Sequence, residues 1–284
     1  MRSKTKMSET TAVPAIHPTA VIDPQAIIEP GARVGPYCVI GAEARIESGA
    51  VLHNHVTLHG PAVVGAESVV YPYAVLGAEP QDLKYAGGRT ELIIGKRCRI
   101  REHATIHRGT ELGGGKTVIG DDCLIMVGAH IAHDCVIENE VVIANGVMLG
   151  GHCLVEFGAT IAGGAGVHHF ATVGELSFIG GMARIVKDVP PYLVVEGTPA
   201  EPRKVNTTAL IRRGWSVEAI ESLRTAYKAL YRSEEPMQIA MERLRTDPSQ
   251  SRAALRLCDA LEAIHLGVHG RCRESQRDQA APRN

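Results

Sequence analysis

Residues 16–46 read IHPTAVIDPQAIIEPGARVGPYCVIGAEARI, and an aliphatic residue returns at every sixth position of this stretch. The same phase continues to residue 76, resumes over 94–106 and runs again over 119–185. The residue two places before each aliphatic is usually small, and glycine often follows it. A fixed short period predicts a solenoid, because each repeat buries its apolar side chain only by stacking on its neighbours.

Each hexad predicts a short strand followed by a corner. Branched aliphatic side chains favour strands, and glycine adopts the positive φ that a tight corner requires. Three hexads close a triangular coil of about 18 residues, and coils stack at about 4.8 Å, the spacing of paired strands. A period of six fits neither the helical repeat of 3.6 nor a sandwich with turns every 8–12 residues. The predicted fold is therefore a mainly β, parallel β-helix.

Composition divides the chain into four predicted parts. Residues 1–15 are polar and are expected to form a disordered leader. The β-helix is expected over 16–192, where Pro190-Pro191 ends the repeat. A small α-helical domain is expected over 193–270, because apolar residues there recur at three- and four-residue spacings. Residues 271–284 are polar and are expected to form a mobile tail.

The hexad is interrupted at 77–93 and at 107–118. In the first interruption Asp82 and Gly88 occupy the phase positions, and the second contains three consecutive glycines. Both interruptions predict loops that leave the solenoid at a corner. Loops on a rigid scaffold often carry function, so both are candidate parts of a site.

Charge and hydropathy exclude several classes of function. The net charge is −1 and no basic block is present, which argues against a nucleic-acid partner. No run of 18 apolar residues occurs, so stable membrane insertion is not expected. Residues 1–15 lack the apolar core of a signal peptide, which predicts a cytoplasmic protein. Most of the seven cysteines occupy small-residue positions of the hexad and are expected to fill space rather than form disulfides.

Histidines cluster along one predicted corner of the solenoid. His133, Gly151 and His169 are spaced by one coil length, so they share an edge on successive coils. His152 and His168 lie one residue to either side of this column. His130 precedes His133 by half a hexad. None of these positions is in the buried aliphatic phase, so packing in the core does not account for them.

Three functions fit this column before any family is considered. In the first, His133 is a general base, Asp134 orients its ring and the Gly151 N–H stabilises an oxyanion. In the second, three imidazoles hold Zn²⁺ with an open fourth position, as in a metal-dependent hydratase. In the third, the solenoid is a non-catalytic structural or surface-binding protein.

Local motifs distinguish these alternatives. They are Gln81-Asp82-Leu83-Lys84-Tyr85-Ala86-Gly87, Ile100-Arg101-Glu102, Ile106-His107-Arg108-Gly109-Thr110, Ala129-His130-Ile131-Ala132-His133-Asp134-Cys135, Gly151-His152, Val167-His168, Asp188-Val189-Pro190-Pro191-Tyr192 and Arg212-Arg213-Gly214. Over about 16–232 the chain resembles the acyl-carrier-protein-dependent UDP-N-acetylglucosamine O-acyltransferases, which begin lipid A synthesis. The resemblance implies a left-handed β-helix and a homotrimer with active sites between subunits. It implies neither a cofactor nor a metal.

The resemblance also implies a reaction and three catalytic residues. An (R)-3-hydroxyacyl chain would pass from acyl carrier protein to the 3-hydroxyl of UDP-N-acetylglucosamine by direct attack on the thioester. His133 would be the general base, Asp134 would hold it in the useful tautomer, and the Gly151 N–H would bind the oxyanion. A 3-amino sugar, used by some relatives, is an alternative acceptor.

Further positions match the substrate-binding residues of the family. Asp82 and Lys84 match loop residues near the sugar and acyl groups, and Gly181 matches the position that measures acyl length. Arg212 and Arg213 match contacts to the UDP phosphates. The remaining matches are histidines of the cleft: His130, His152, His168 and His169. Two positions depart from the pattern, since His169 replaces a glutamine and Thr208 replaces an acidic residue of the nucleotide region.

Overall fold

A computed structural model describes residues 15–275, and within them the chain forms the parallel β-helix that the hexad predicts. The chain visits three sheets in turn, so each coil contributes one strand to each face of a triangular prism. Pairing joins residues one coil apart, as in Val142↔Thr160.

The strands of each face are as follows. Face A contains β1 (Ala15–Ile16), β4 (Arg33–Val34), β7 (Val51–Leu52), β10 (Val69–Val70), β13 (Arg99–Ile100), β16 (Leu124–Ile125), β19 (Val142–Ile143), β22 (Thr160–Ile161), β25 (Phe178–Ile179), β27 (Leu193–Gly197) and β28 (Ala200–Val205). Face B contains β2 (Val21–Ile22), β5 (Val39–Ile40), β8 (Thr57–Leu58), β11 (Val75–Ala78), β14 (Thr105–His107), β17 (His130–Ile131), β20 (Met148–Leu149), β23 (Gly166–Val167) and β26 (Arg184–Ile185). Face C contains β3 (Ile27–Ile28), β6 (Ala44–Ile46), β9 (Ala62–Val64), β12 (Glu91–Ile94), β15 (Lys116–Ile119), β18 (Val136–Ile137), β21 (Leu154–Val155) and β24 (Thr172–Val173).

The aliphatic hexad residues fill the inside of the prism. In a typical two-residue strand the first side chain points outward and the second is buried, as in β13, where Arg99 is exposed and Ile100 is fully buried. Burying an aliphatic side chain of this size contributes about 1.5–3 kcal/mol. The column of such side chains holds the coils in register, and it leaves the corner residues free to carry function.

Both interruptions of the hexad leave the prism at the same edge. Residues 79–90 connect β11 to β12, and residues 108–115 connect β14 to β15, so each loop runs from face B to face C. We call this corner the BC edge, and the other two the AB and CA edges. The second loop contains a 3₁₀ helix, Glu111–Gly113. The corner 132–135 lies on the BC edge directly after these loops.

The end of the solenoid differs from the sequence expectation in one respect. Residues 193–205, expected to begin the helical domain, are β27 and β28, and β28 pairs antiparallel with β27. This hairpin follows from the need to pair the last strand of face A, whose open edge would otherwise expose unpaired backbone groups. The helices follow as α1 (Thr207–Arg212), α2 (Val217–Tyr231), α3 (Met237–Thr246), α4 (Arg252–Leu266) and α5 (Cys272–Ser275).

The two expected flexible ends lie mostly outside the described residues, which exclude 1–14 and 276–284. The described beginning of the tail packs against the solenoid instead of projecting from it. Arg271 is buried and donates to the Val186 carbonyl at 2.6 Å, and the Cys272 N–H donates to Asp188 at 2.8 Å. Within residues 15–275, no helix is both long and apolar enough to cross a membrane.

Candidate active site

A histidine–aspartate pair lies on the BC edge. The Nδ1 atom of His133 is 2.8 Å from Oδ2 of Asp134, whose side chain has no exposed surface, whereas 12% of the His133 side chain is exposed. An ionised carboxylate only accepts, so the proton of this hydrogen bond is on Nδ1. The Nε2 lone pair of His133 is therefore available to accept a proton.

The Asp134 carboxylate is fixed by the loop that precedes it on the same edge. Thr110 donates to it twice, from its N–H at 2.8 Å and from its hydroxyl at 2.6 Å. Burial raises the pKa of Asp134, but hydrogen bonds from His133 and Thr110 outweigh this effect and hold the pKa below its usual value. Asp134 is thus ionised at neutral pH. The role of Thr110 was missed in the sequence, although Thr110 ends one of the motifs quoted above.

Gly151 lies under the His133 ring on the next coil. A Cβ at residue 151 would come within 2.6 Å of Cε1 and 2.8 Å of Nε2 of His133. Gly113 is required for a similar reason, because a Cβ there would meet the Asp134 carboxylate at 2.0 Å. Glycine at both positions therefore makes room for the histidine–aspartate pair, which confirms that His133 and Gly151 share an edge.

The other histidines of the column line the same edge. The rings of His133 and His152 are perpendicular with centroids 5.1 Å apart, and His152 stacks on Phe170 at 4.3 Å. His152 Nε2 lies 3.7 Å from Asp134 Oδ2. The rings of His168 and His169 are 3.8 Å apart.

His130 is adjacent to this edge, on the outer surface of face B. Its Nδ1 forms a hydrogen bond of 2.8 Å with the Thr105 hydroxyl. Burial lowers the pKa of His130, and the neighbouring His107 and His133 lower it further. His130 is therefore neutral at pH 7 and suited to hydrogen bonding rather than to binding an anion.

Asp82 and Lys84 occupy the loop that leaves the BC edge two coils before His133. Oδ1 of Asp82 accepts from the N–H of Lys84 at 2.9 Å, and the Lys84 side chain is exposed. The two loops contact each other where Arg108 donates to the Tyr85 hydroxyl at 3.1 Å. Both predicted loop residues thus lie in a loop of the BC edge, the edge that carries His133.

The structure separates the remaining predicted residues from His133. Gly181 lies on the AB edge, between β25 and β26. Arg212, at the end of α1, lines a cleft of about 460 Å³ over face A together with Thr208. Arg213 lies on the CA edge, where it pairs with Glu140 at 2.5 Å. In a triangular prism, face A is opposite the BC edge, and the AB and CA edges are the other two corners. Gly181, Arg212 and Arg213 are therefore all away from His133 within one chain.

The geometry also defines the candidate metal ligands. One atom each from His133, Asp134 and His152 lie within 4.8 Å of one another. This set contains two imidazoles and a carboxylate rather than the three imidazoles considered from the sequence. The carboxylate oxygen involved, Oδ2 of Asp134, already accepts from His133 and from the Thr110 hydroxyl.

Two family profiles match the chain. The profile described as Udp N-acetylglucosamine O-acyltransferase, Domain 2, matches residues 188–269. The profile of six bacterial transferase hexapeptide repeats matches residues 116–151, which include the histidine–aspartate pair.

Named relatives resemble nearly the whole chain. An acyl-[acyl-carrier-protein]–UDP-N-acetylglucosamine O-acyltransferase from Synechocystis is 50% identical over 244 residues, which are 86% of this chain and 88% of that protein. The UDP-N-acetylglucosamine acyltransferase structure from Francisella novicida has a TM-score of 0.83 and 36% identity, covering 87% of this chain and 91% of its own. The UDP-N-acetylglucosamine O-acyltransferase structure from Moraxella catarrhalis has a TM-score of 0.82 and 40% identity, with 86% and 95% covered.

Proposed function

Because this chain belongs to the family of acyl-[acyl-carrier-protein]–UDP-N-acetylglucosamine O-acyltransferases, we propose that it begins lipid A synthesis. In the proposed reaction an (R)-3-hydroxyacyl chain moves from acyl carrier protein to the 3-hydroxyl of UDP-N-acetylglucosamine. Membership of the family makes the chain an acyltransferase. The observation that carries the mechanism is the His133–Asp134 pair, with its buried carboxylate, lying over Gly151.

The proposed chemistry gives each of these three residues a defined role. His133 Nε2 removes the proton of the sugar hydroxyl as its oxygen attacks the thioester carbon. The Gly151 N–H donates to the oxyanion of the tetrahedral intermediate. When the C–S bond breaks, the imidazolium of His133 returns the proton to the departing thiolate. Asp134, ionised because its pKa is low, stabilises that imidazolium and fixes the tautomer of His133.

The complete site is proposed to form between subunits of a homotrimer. Support comes from the separation of Arg212 and Gly181 from the BC edge, since only a neighbouring chain can bring such residues to His133. A closed ring of identical chains repeats the same contact and so gives equivalent sites. Arg212 and Arg213 would bind the UDP phosphates, and Gly181 would border the acyl chain.

Residues around the pair are proposed to hold the substrates. His152 and His168 would line the cleft, and His130 and His169 would extend it on either side. Asp82 and Lys84 would approach the sugar and acyl groups from the loop. Nε2 of His169 lies 3.9 Å from Oε1 of Glu274, so the C-terminal segment is close to this end of the column. The cytoplasmic location expected from the sequence stays a prediction.

Mass spectrometry of the product tests the proposed reaction directly. Purified enzyme is incubated with 3-hydroxyacyl carrier protein and either UDP-N-acetylglucosamine or its 3-amino analogue. The proposal expects acylation of UDP-N-acetylglucosamine at its 3-hydroxyl. Transfer to the 3-amino analogue alone would show that the amino sugar is the acceptor instead. Absence of transfer to both acceptors would contradict the proposed function.

A second candidate function rests on the cluster of His133, Asp134 and His152. These residues offer three ligand atoms close together, which is the number that a catalytic zinc site requires. Elemental analysis of the purified protein separates the two functions. Stoichiometric zinc, together with loss of activity on chelation, would favour a metal-dependent reaction, whereas the acyltransferase mechanism expects transfer that chelators do not affect.

A further inference from the structure

We propose that Cys135 is a positioning residue of the oxyanion site, an inference that rests on the proposed role of Gly151. Cys135 follows Asp134 in the chain but points into the solenoid, where it is fully buried. Its Sγ lies 3.2 Å from the carbonyl oxygen of Gly150 on the next coil. The thiol therefore donates to the peptide unit whose N–H belongs to Gly151.

The geometry of that peptide unit determines where the N–H points. The Gly150–Gly151 bond is trans, so its C=O and N–H point in opposite directions. Because the carbonyl is held toward the buried Sγ of Cys135, the Gly151 N–H is directed outward, to the side of the edge on which the His133 ring lies. The thiol therefore orients the Gly151 N–H from the buried side of its peptide unit, without touching substrate.

The same hydrogen bond also strengthens the donor. Hydrogen bonds in series polarise one another, so a carbonyl that accepts a bond makes the N–H of its own peptide unit a better donor. In the described part of the chain, Cys135 is the donor found at the Gly150 carbonyl. The thiol is a weak donor, but it acts in a buried position where an unpaired carbonyl would be costly.

Cys38 provides a matched control on a coil remote from the His133–Asp134 pair. It is as deeply buried as Cys135, and its Sγ lies 2.8 Å from the carbonyl oxygen of His53 on the next coil. Its corner is on the AB edge, between β4 and β5. Removal of the Cys38 thiol therefore perturbs the core similarly but leaves the Gly151 peptide unchanged.

The experiment compares Cys135→Ala, Cys135→Ser and Cys38→Ala in the full-length enzyme. The fold tolerates alanine here, because Ala129, Ala159 and Ala171 occupy equivalent small-residue positions. We expect Cys135→Ala to lower kcat about three- to tenfold, a fraction of the ~10²-fold cost of losing a whole oxyanion donor. The KM for the sugar nucleotide should be unchanged, and Cys135→Ser, which keeps a donor, should recover most of kcat.

The shape of the pH profile supplies an independent readout. Because Cys135 acts on the oxyanion site and not on the base, the pH dependence of kcat should keep its midpoint in Cys135→Ala. Equal kcat in Cys135→Ala and Cys38→Ala, or a serine variant as slow as the alanine variant, would overturn the inference. If only this inference fails, the wild type still transfers acyl groups and His133→Ala does not. If the proposed function fails, wild-type transfer itself is absent.

Discussion

The imidazole of His133 lies against the backbone of Gly151, so close that a single added carbon would come within 2.6 Å of the ring. The proposed general base and the proposed oxyanion donor are therefore on adjacent coils in direct contact. The distance between them is set by the stacking of paired strands rather than by a flexible loop. This rigidity fits a reaction in which one group must deprotonate an alcohol while the other stabilises the carbonyl oxygen.

Gly151→Ala should displace the His133 ring and lower kcat by about 10²-fold or more, since both proton transfer and oxyanion binding depend on this contact. The enzyme should stay folded, because the partly exposed His133 ring is on the edge and is not part of the apolar core. Gly166→Ala is the control, as a Cβ there would meet nothing within 4 Å. Steady-state kinetics and thermal unfolding of both variants check the prediction, and normal turnover in Gly151→Ala would contradict it.

Asp134→Asn should lower kcat by roughly 10²- to 10⁴-fold, because an amide can donate to Nδ1 and so stabilise the wrong tautomer of His133. The change keeps the volume of the side chain, and Thr110 can still donate to the amide oxygen. The KM for the sugar nucleotide should change little. Kinetics at pH 7 with circular dichroism as a folding control check this expectation, and a variant with more than a tenth of wild-type kcat would refute it.

Asp188 should make the stability of the fold fall as pH rises in the acidic range. Burial raises the pKa of this carboxyl, and the N–H groups of Cys272 and Thr172 offset the rise only in part. Between the unfolded pKa of about 4 and the higher folded pKa, the folded state binds more protons, so deprotonation costs stability. The unfolding free energy of the wild type, minus that of Asp188→Asn, should therefore become smaller as the pH increases through this window.

Urea unfolding at a series of pH values from about 4 to 7 measures that difference. Taking the difference between the two proteins cancels the contribution of the other titrating groups. A difference that is independent of pH, or one that shifts in favour of the wild type as pH rises, would show that the Asp188 carboxyl is not held in the described environment.

Mixed trimers should recover activity if His133 and Arg212 act from different subunits. His133→Ala alone is expected to be poorly active. Arg212→Ala alone is expected to have a raised KM for the sugar nucleotide, and so to be poorly active at concentrations below that KM. In every trimer that contains both variants, about a third of the interfaces, one in each ring, would combine an intact His133 with an intact Arg212. Co-expression with two affinity tags and an assay of the doubly purified enzyme tests this.

A second mixture serves as the matched control for the mixed trimers. His133 and Gly151 lie on one edge of one chain, so mixing His133→Ala with Gly151→Ala should restore nothing. Equal activities of the two mixtures would show that Arg212 and His133 do not meet across a subunit boundary.

Much of this site could be predicted from the sequence, because the coil length converts spacing into position. The hexad identified the buried residues, and the 18-residue interval placed His133 and Gly151 on one edge, as observed. The interrupted hexads also predicted both loops. The pattern could not predict on which edge or face of the prism the loops and the C-terminal helices would lie. It did not reveal that both loops leave the solenoid at the BC edge, or that Arg212 lies over the opposite face.

Other features depend on contacts that a repeat pattern does not encode. Thr110 reaches Asp134 only because the loop folds back against the corner. Cys135 occupies a small-residue position that predicts space filling, whereas its thiol also donates to the next coil. Residues 193–205 lack the hexad, so their pairing as the hairpin of β27 and β28 could not be foreseen.

The most direct test measures acyl transfer from 3-hydroxyacyl carrier protein to UDP-N-acetylglucosamine by the wild type, His133→Ala and a control, His265→Ala, altered in the last turn of α4. The proposed mechanism predicts that His133→Ala loses transfer by about 10²-fold or more while it remains folded, and that His265→Ala is unaffected. Transfer by His133→Ala at the wild-type rate would contradict the assignment of His133 as the base.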